Sequence, residues 1–217
     1  MKRLILPLIL SILLLTFVSS LVQSGGVRHV TGTTKALQTL YAEEFNDYLA
    51  YRSYAVQAQR DGAREAATLF RALAQAELAH TALHAAALRW IGVEPKAEHM
   101  KPEVGTVDEN LQRALAREQQ VATDLYTPLS IQIAPEQVEN ALRALNFAEQ
   151  AEHSHEQILT AMLEHARLVE VWGDSLAPAW TATTLYVCPT CGLVSTTTAT
   201  DHCAVCYGDP KAALAVK

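Results

Sequence analysis

The 217-residue sequence predicts an all-α four-helix bundle followed by a small β-knuckle module. Three observations predict it. Apolar residues recur at helical spacing through four segments bounded by glycine, proline and capping residues. An acidic–histidine pattern occurs twice: Glu44 stands 33 positions before Glu77-Leu-Ala-His80, and Glu118 stands 34 before Glu152-His-Ser-His155. All four cysteines fall in two Cys-x-x-Cys pairs near the end, Cys188/Cys191 and Cys203/Cys206. The flanks of the acidic pattern repeat too, with Leu37-Gln38 seven positions before Glu44 and Leu111-Gln112 seven before Glu118. A duplicated Glu … Glu-x-x-His is what a four-helix bundle needs to hold two metal ions between its helices.

The first segment lies outside this fold. Lys2 and Arg3 precede an apolar run from Leu4 to Val18, and a small, polar exit follows through Ser20, Ser24 and Gly25. Residues 1–25 therefore read as a secretory signal peptide, or as a retained membrane anchor through residues 4–22. Either way the chain is expected to be exported, to the periplasm or another extracytoplasmic space. It would be soluble after cleavage and N-terminally tethered without it.

The bundle is expected over residues 34–171. Its first helix runs from about Thr34 to Arg60, with Leu37, Leu40, Tyr41, Tyr48, Tyr51 and Tyr54 at helical spacings. Asp61-Gly62 interrupts, and an alanine-rich second helix runs from about Ala63 to Trp90. The segment from Gly92 to Gly105 contains Pro95 and Pro102 and is a crossover connection longer than most helix–helix loops. Thr106 or Asp108 can cap a third helix reaching about Ile133, in which Pro128 should cause a kink or free a backbone carbonyl. Ala134-Pro135 marks a turn, and the fourth helix is expected from about Pro135 to Val171. Residues 172–184 are a linker of irregular composition. Residues 185–217 are expected to form a four-cysteine module, too small to build a hydrophobic core alone.

Composition narrows the function. A chain of this length, half hydrophobic, buries one real core, and its formal charge of -6 argues against a nucleic-acid partner. No run of lysine or arginine after residue 3 suggests a polybasic membrane patch.

Residues three apart on a helix share a face, so Glu77 and His80 can reach one metal together, as can Glu152 and His155. With Glu44 and Glu118 they supply six protein ligands, and a carboxylate can serve two ions at once. Carboxylate mixed with imidazole suits iron or manganese and leaves positions open for oxygen, peroxide or water. One Glu-x-x-His on an exposed helix is usually a solvated accident; two, each following a matching glutamate, are not. Glu43 is the rival of Glu44, but the repeat aligns Glu44 with Glu118. Glu149, one turn before Glu152, is more readily an exposed polar residue than a ligand. His84 could chelate with His80 but is expected to pack or face water.

Two Cys-x-x-Cys knuckles separated by eleven residues point four thiolates at one tetrahedral ion. Iron would make the module a one-electron carrier, and zinc would make it structural. Two disulfides are the third alternative, favoured by export.

The stretch Glu65-Ala-Ala-x-x-Phe70-Arg71-Ala72 … Glu77-x-x-His80 resembles the second helix of the rubrerythrins. Asn110-Leu111 … Glu118 … Leu125-Tyr126-x-Pro128 resembles their third, and Asn146-Phe147-Ala148-x-x-Ala151-Glu152-x-x-His155-Glu156 their fourth. The resemblance spans roughly residues 34–217. Tyr186, Gly192, Gly208 and Pro210-Lys211 make the cysteine module similar to a short rubredoxin, with Ala204 departing from the usual proline.

The family implies a ferritin-like fold with two iron ions in the bundle and one iron, or zinc, on the cysteines. It implies reduction of hydrogen peroxide with electrons relayed by the cysteine-held iron from an unidentified donor. Glu44 and Glu118 would be terminal ligands, Glu77 and Glu152 bridges, and His80 and His155 one ligand to each iron. Tyr51 and Tyr126 match tyrosines that bond to ligand carboxylates in the family, although aromatic core packing alone would also account for them. In family dimers the tail approaches the di-iron site across the subunit interface, so a homodimer is expected.

One departure matters: where rubrerythrins carry a further glutamate on the third helix, this chain has Val121. Val121 cannot ligate, so the exchange between that carboxylate and the second-helix histidine is lost, and His80 should stay bound throughout. The remaining four Glu and two His resemble a ferritin-type set. That keeps two alternatives open: a ferroxidase acting with oxygen or peroxide, and a metal-scavenging protein with a zinc tail.

Overall fold

The computed structural model of the chain describes residues 30–172 and 184–217. The expected export segment and most of the linker fall outside the described residues. By its contacts the chain divides into Met1–Val30, of which only Val30 is described, and Thr31–Lys217. No helix among the described residues is long and apolar enough to cross a membrane.

Helix α1 (Thr31–Arg60) and α2 (Arg64–Trp90) form one antiparallel hairpin. The end of α2 is closed by Gly92 at φ +79°, with Gly92 N–H donating to the Arg89 carbonyl and Val93 N–H to that of Leu88. This left-handed cap satisfies carbonyls that the helix leaves free. The crossover that follows is pinned along α1 by side-chain amides. Asn46 donates to the Glu98 carbonyl at 3.1 Å and accepts from Met100 N–H at 2.9 Å, and Gln38 bonds both ways with Lys96.

Helix α3 (Val107–Gln120) starts at Thr106, whose hydroxyl accepts from Glu109 N–H while the Glu109 carboxylate accepts from Thr106 N–H. This is a capping box. The expected single helix to Ile133 is in fact broken. A wide π turn occupies Val121–Tyr126, and a short helix α4 covers Thr127–Ile133. Pro128 cannot donate a backbone hydrogen bond, and the extra residue of a π turn absorbs the mismatch. The Thr127 hydroxyl oxygen lies 3.2 Å from the Ala122 carbonyl within this stretch.

The fourth long helix, α5 (Glu139–Trp172), begins later than Pro135. Pro135 instead lies in a 3-10 turn, Ala134–Glu136, which ends at Gln137 with φ 53°. A left-handed residue cannot continue a helix, so α5 restarts beyond it. Glu136 is used elsewhere: its carboxylate accepts from Gly32 N–H at 2.9 Å and Thr33 N–H at 2.8 Å, the free donors of α1.

The core lies in two apolar layers along the helices. One gathers Tyr51, Phe70, Leu73, Leu111 and Leu159, and the other Leu37, Leu88, Val121, Tyr126 and Leu145. The tail is a three-stranded antiparallel sheet of β1 (Leu185–Val187), β2 (Val194–Ser195) and β3 (Leu214–Val216), in the order β2-β1-β3. Leu185, Val187 and Val194 are buried in the first apolar layer of the bundle, so the module borrows a core instead of building one.

Candidate metal centres

Between the two apolar layers the helices hold a polar one. Glu44 comes from α1, Glu77 and His80 from α2, Glu118 from the end of α3, and Glu152 and His155 from α5. All are buried. The three-residue spacing within α2 and α5 places each carboxylate beside its histidine: His80 Nδ1 is 2.9 Å from Glu77 Oε2, and His155 Nδ1 is 3.1 Å from Glu152 Oε2.

The donors fall into two sets that share Glu77 and Glu152. Glu77 turns Oε2 to His80 and Oε1 to His155, the latter at 3.3 Å. Glu152 turns Oε1 to His80 at 2.9 Å and Oε2 to His155. Glu44 Oε2 faces His80 at 3.7 Å, and Glu118 Oε2 faces His155 at 3.4 Å. The outer oxygens of these two are held by tyrosines. Tyr126 donates to Glu44 Oε1 at 2.6 Å, and the Tyr51 hydroxyl donates to Glu118 Oε1.

Both histidines are fixed from behind by the tail. His80 Nε2 lies 3.0 Å from the Cys191 carbonyl and His155 Nε2 3.0 Å from that of Gly192. A carbonyl only accepts, so Nε2 carries the proton in each ring and Nδ1 is directed at the carboxylates. The resemblance places such an approach across a subunit interface; here it is made within one chain. Gly192 has φ +76°, and a Cβ on it would collide with His80 Nε2. Only glycine fits.

The donor set fits a pair of metal ions. No lysine or arginine is among the buried polar residues described, so four carboxylates face only two imidazoles. Among the described residues, Glu77 Oε1 and Glu152 Oε1 are buried without a hydrogen-bond partner. Protons then do the work of cations. Burial, with Glu152 next, pushes Glu118 up to about 8, and burial raises Glu77 as well. Burial works against charge on the two rings, but Glu152 and Glu77 beside His80, and Glu152 and Glu118 beside His155, hold both well above the usual imidazole range. Burial would also raise Glu44, yet His80 holds it below the ordinary carboxylate value. Oxygen-rich donors with one imidazole per position suit iron or manganese.

The other acids lie elsewhere. Glu43 pairs with Arg117 at 2.6 Å, together with Asp47, outside the polar layer. Glu149 accepts from the Thr127 hydroxyl. His84 does not join His80 in chelation; it is buried and its Nε2 lies 2.8 Å from the Tyr126 hydroxyl. Its helical position one turn past His80 carries no mark of that bond in the sequence. Nor do the two carbonyls, since backbone atoms belong to every residue; the one hint is Gly192 itself.

The four cysteines are unbridged. Cys188 and Cys206 sulfurs are 3.6 Å apart, and those of Cys191 and Cys203 3.5 Å. A tetrahedron with bonds of about 2.3 Å has sulfur–sulfur edges of about 3.8 Å, so one ion fits among them. Hydrogen bonding from Cys191 pulls Cys188 down to about 4, while burial pushes Cys206 up to about 11. One thiolate is thus ready, and a metal would deprotonate the rest.

A family model described as Rubrerythrin matches residues 35–163. No curated protein matches the sequence. Among solved structures, nigerythrin in its partially reduced state is 24% identical, with a TM-score of 0.71 over 84% of this chain and 86% of that one. Its mixed-valence state is 23% identical and its fully reduced, all-ferrous state 24%, both with a TM-score of 0.72 and the same coverage. These likenesses establish the fold, helical bundle and cysteine tail together.

Proposed function

Because this chain belongs to the rubrerythrin family, we propose that it reduces hydrogen peroxide at a di-iron site with electrons relayed from iron on its four cysteines. The observation that carries this reading is the pair of hydrogen bonds from His80 and His155 to the Cys191 and Gly192 carbonyls. Packing of Leu185, Val187 and Val194 would hold a structural zinc tail on the bundle without these two bonds, whereas an electron relay gains from a direct link to the ligand rings.

When bound, the iron pair supplies the two electrons that split the O–O bond, and the thiolate-held iron restores them singly. The chain's own residues supply the rest. Glu44 with His80 would hold one ion and Glu118 with His155 the other, and Glu77 and Glu152 would span both. Tyr51 and Tyr126 keep the outer oxygens of Glu118 and Glu44 occupied, so their inner oxygens stay directed at the site. The backbone carbonyls hold both rings as Nε2–H tautomers and join the site to the cysteine loop through a single hydrogen bond on each side.

The test is stopped-flow reoxidation of reduced, iron-loaded protein by hydrogen peroxide, followed at the thiolate-to-iron absorption band. Wild type should recover that band rapidly, and Gly192→Ala at least about tenfold more slowly, with both centres still loaded. Equal rates, or a tail that accepts only zinc, would remove the relay.

A ferroxidase is the second reading, and Val121 favours it. Its side chain is buried beside Leu37, Tyr126 and Leu145, so the ligand set stays balanced at four carboxylates and two histidines. Peroxide turnover with an artificial donor that rises in Val121→Glu, while ferrous oxidation falls, would favour this second reading for the native chain.

A further inference from the structure

The two halves of the site match ligand for ligand, but one side chain behind them does not. We propose that His84 is a positioning residue that acts through Tyr126 to orient Glu44. It thereby makes the metal position of Glu44 and His80 unlike that of Glu118 and His155. The inference rests on the ligand reading given above.

A tyrosine hydroxyl has one hydrogen to give. Tyr126 donates it to Glu44 Oε1 at 2.6 Å, because a ligating carboxylate only accepts. The hydroxyl oxygen can then only accept from His84, whose Nε2 lies 2.8 Å away. This fixes the ring as the Nε2–H tautomer and defines a one-way chain from His84 through Tyr126 to Glu44. Burial lowers His84 to about 4, in keeping with a neutral ring. Such a chain strengthens each of its bonds, and it prevents the Tyr126 proton from turning toward the ring. Glu44 is left with Oε1 tied and Oε2 toward His80.

The internal repeat provides a comparison within the molecule. Tyr51 and Glu118 correspond to Tyr126 and Glu44, and the residue one turn past His155 is Leu159 where the residue one turn past His80 is His84. Leu159 is fully buried in the layer that holds Tyr51, so the fold accepts leucine in this role. At His84 it carries instead a buried ring whose Nδ1 makes no hydrogen bond among the described residues. An unbonded buried nitrogen costs stability that leucine would not. The histidine earns its place only through Nε2.

Mn(II) binding to the full-length chain tests this, read from the EPR signal of unbound Mn(II), since hard carboxylate donors take Mn(II) and thiolates do so poorly. Wild type should bind two Mn(II). His84→Leu should weaken one of the two positions by about tenfold and leave the other unchanged. His84→Gln, which keeps a side-chain N–H donor, should return most of that loss. In a Tyr126→Phe background, His84→Leu should have no further effect. His84→Ala in both backgrounds makes the same comparison without requiring leucine to pack. An unchanged His84→Leu, a loss shared by both positions, or an effect that persists without the Tyr126 hydroxyl would overturn the inference. Wild type that binds fewer than two Mn(II) would overturn the ligand reading and this inference with it.

Discussion

Val121 shows how one side chain sets the balance of the site. It is 3% exposed in the second apolar layer, at the first residue of the π turn that follows Glu118. A glutamate there would bury a fifth carboxylate, so Val121→Glu should destabilise the metal-free protein by roughly 3 kcal/mol. Denaturant unfolding with and without Mn(II) checks whether the new acid reaches an ion: metal should then restore most of the loss. Tyr207 departs from its pattern in another way. The two knuckles are built alike, with Gly192 N–H donating to the Cys188 carbonyl and Tyr207 N–H to that of Cys203. The second therefore places a tyrosine at φ 59°, where the first has glycine. Tyr207→Gly should stabilise the metal-loaded tail by up to about 1 kcal/mol, read as a higher melting temperature, because side chains strain the left-handed region. The stacking of Tyr207 on His202 is lost in exchange and limits the gain. At this scale the sequence was readable where function sits in side chains at a fixed period, as in Glu77 and His80. It was silent on His84, whose partner arrives from a different helix, and on the Cys191 and Gly192 carbonyls.

Among the elements, the helices with strong punctuation were legible and the irregular stretch was not. Gly62, Gly92 and Thr106 mark ends that the fold respects. Pro128 and Pro135 signalled disturbance, but neither the π turn nor the 3-10 turn has a local sequence code, since each is settled by how the chain repacks around a missing N–H. Glu136 illustrates the consequence. Read along the chain it was an early residue of the fourth helix, yet it serves the start of α1, about a hundred positions away in sequence. Glu136→Ala should leave Gly32 and Thr33 N–H without a protein acceptor and cost about 1 kcal/mol. Hydrogen exchange should quicken in the first turn of α1 and nowhere in α2. Faster exchange throughout both helices would instead mean that Glu136 holds the hairpin as a whole.

For the whole molecule, stability should depend on pH and on metal together. Glu118, raised to about 8, keeps its proton when folded and loses it when unfolded, so its contribution declines as pH rises from about 4.5 to 8. His80 and His155, also raised, act in the same direction above 6.5. His84, lowered to about 4, acts oppositely between about 4 and 6.5, and Cys188, also lowered to about 4, offsets part of the loss up to about 9. The metal-free protein should therefore lose melting temperature between pH 6.5 and 8 in calorimetry. The Mn(II)-loaded protein should not, because its carboxylates have already given up their protons. A metal-free protein that grows steadily more stable over that interval would contradict the burial of these acids. The docked tail carries one more consequence, which concerns how metal reaches the bundle. Leu185, Val187 and Val194 complete the bundle's core, and the cysteine loop covers both histidine rings from outside. The tail therefore lies over the side of α2 and α5 from which both rings would be reached. A tail held firmly in place should therefore slow the passage of ions on that side. Mn(II) uptake should accordingly be slower in chains whose cysteines already hold zinc than in chains with four free thiols, and equal rates would mean that metal enters from another side.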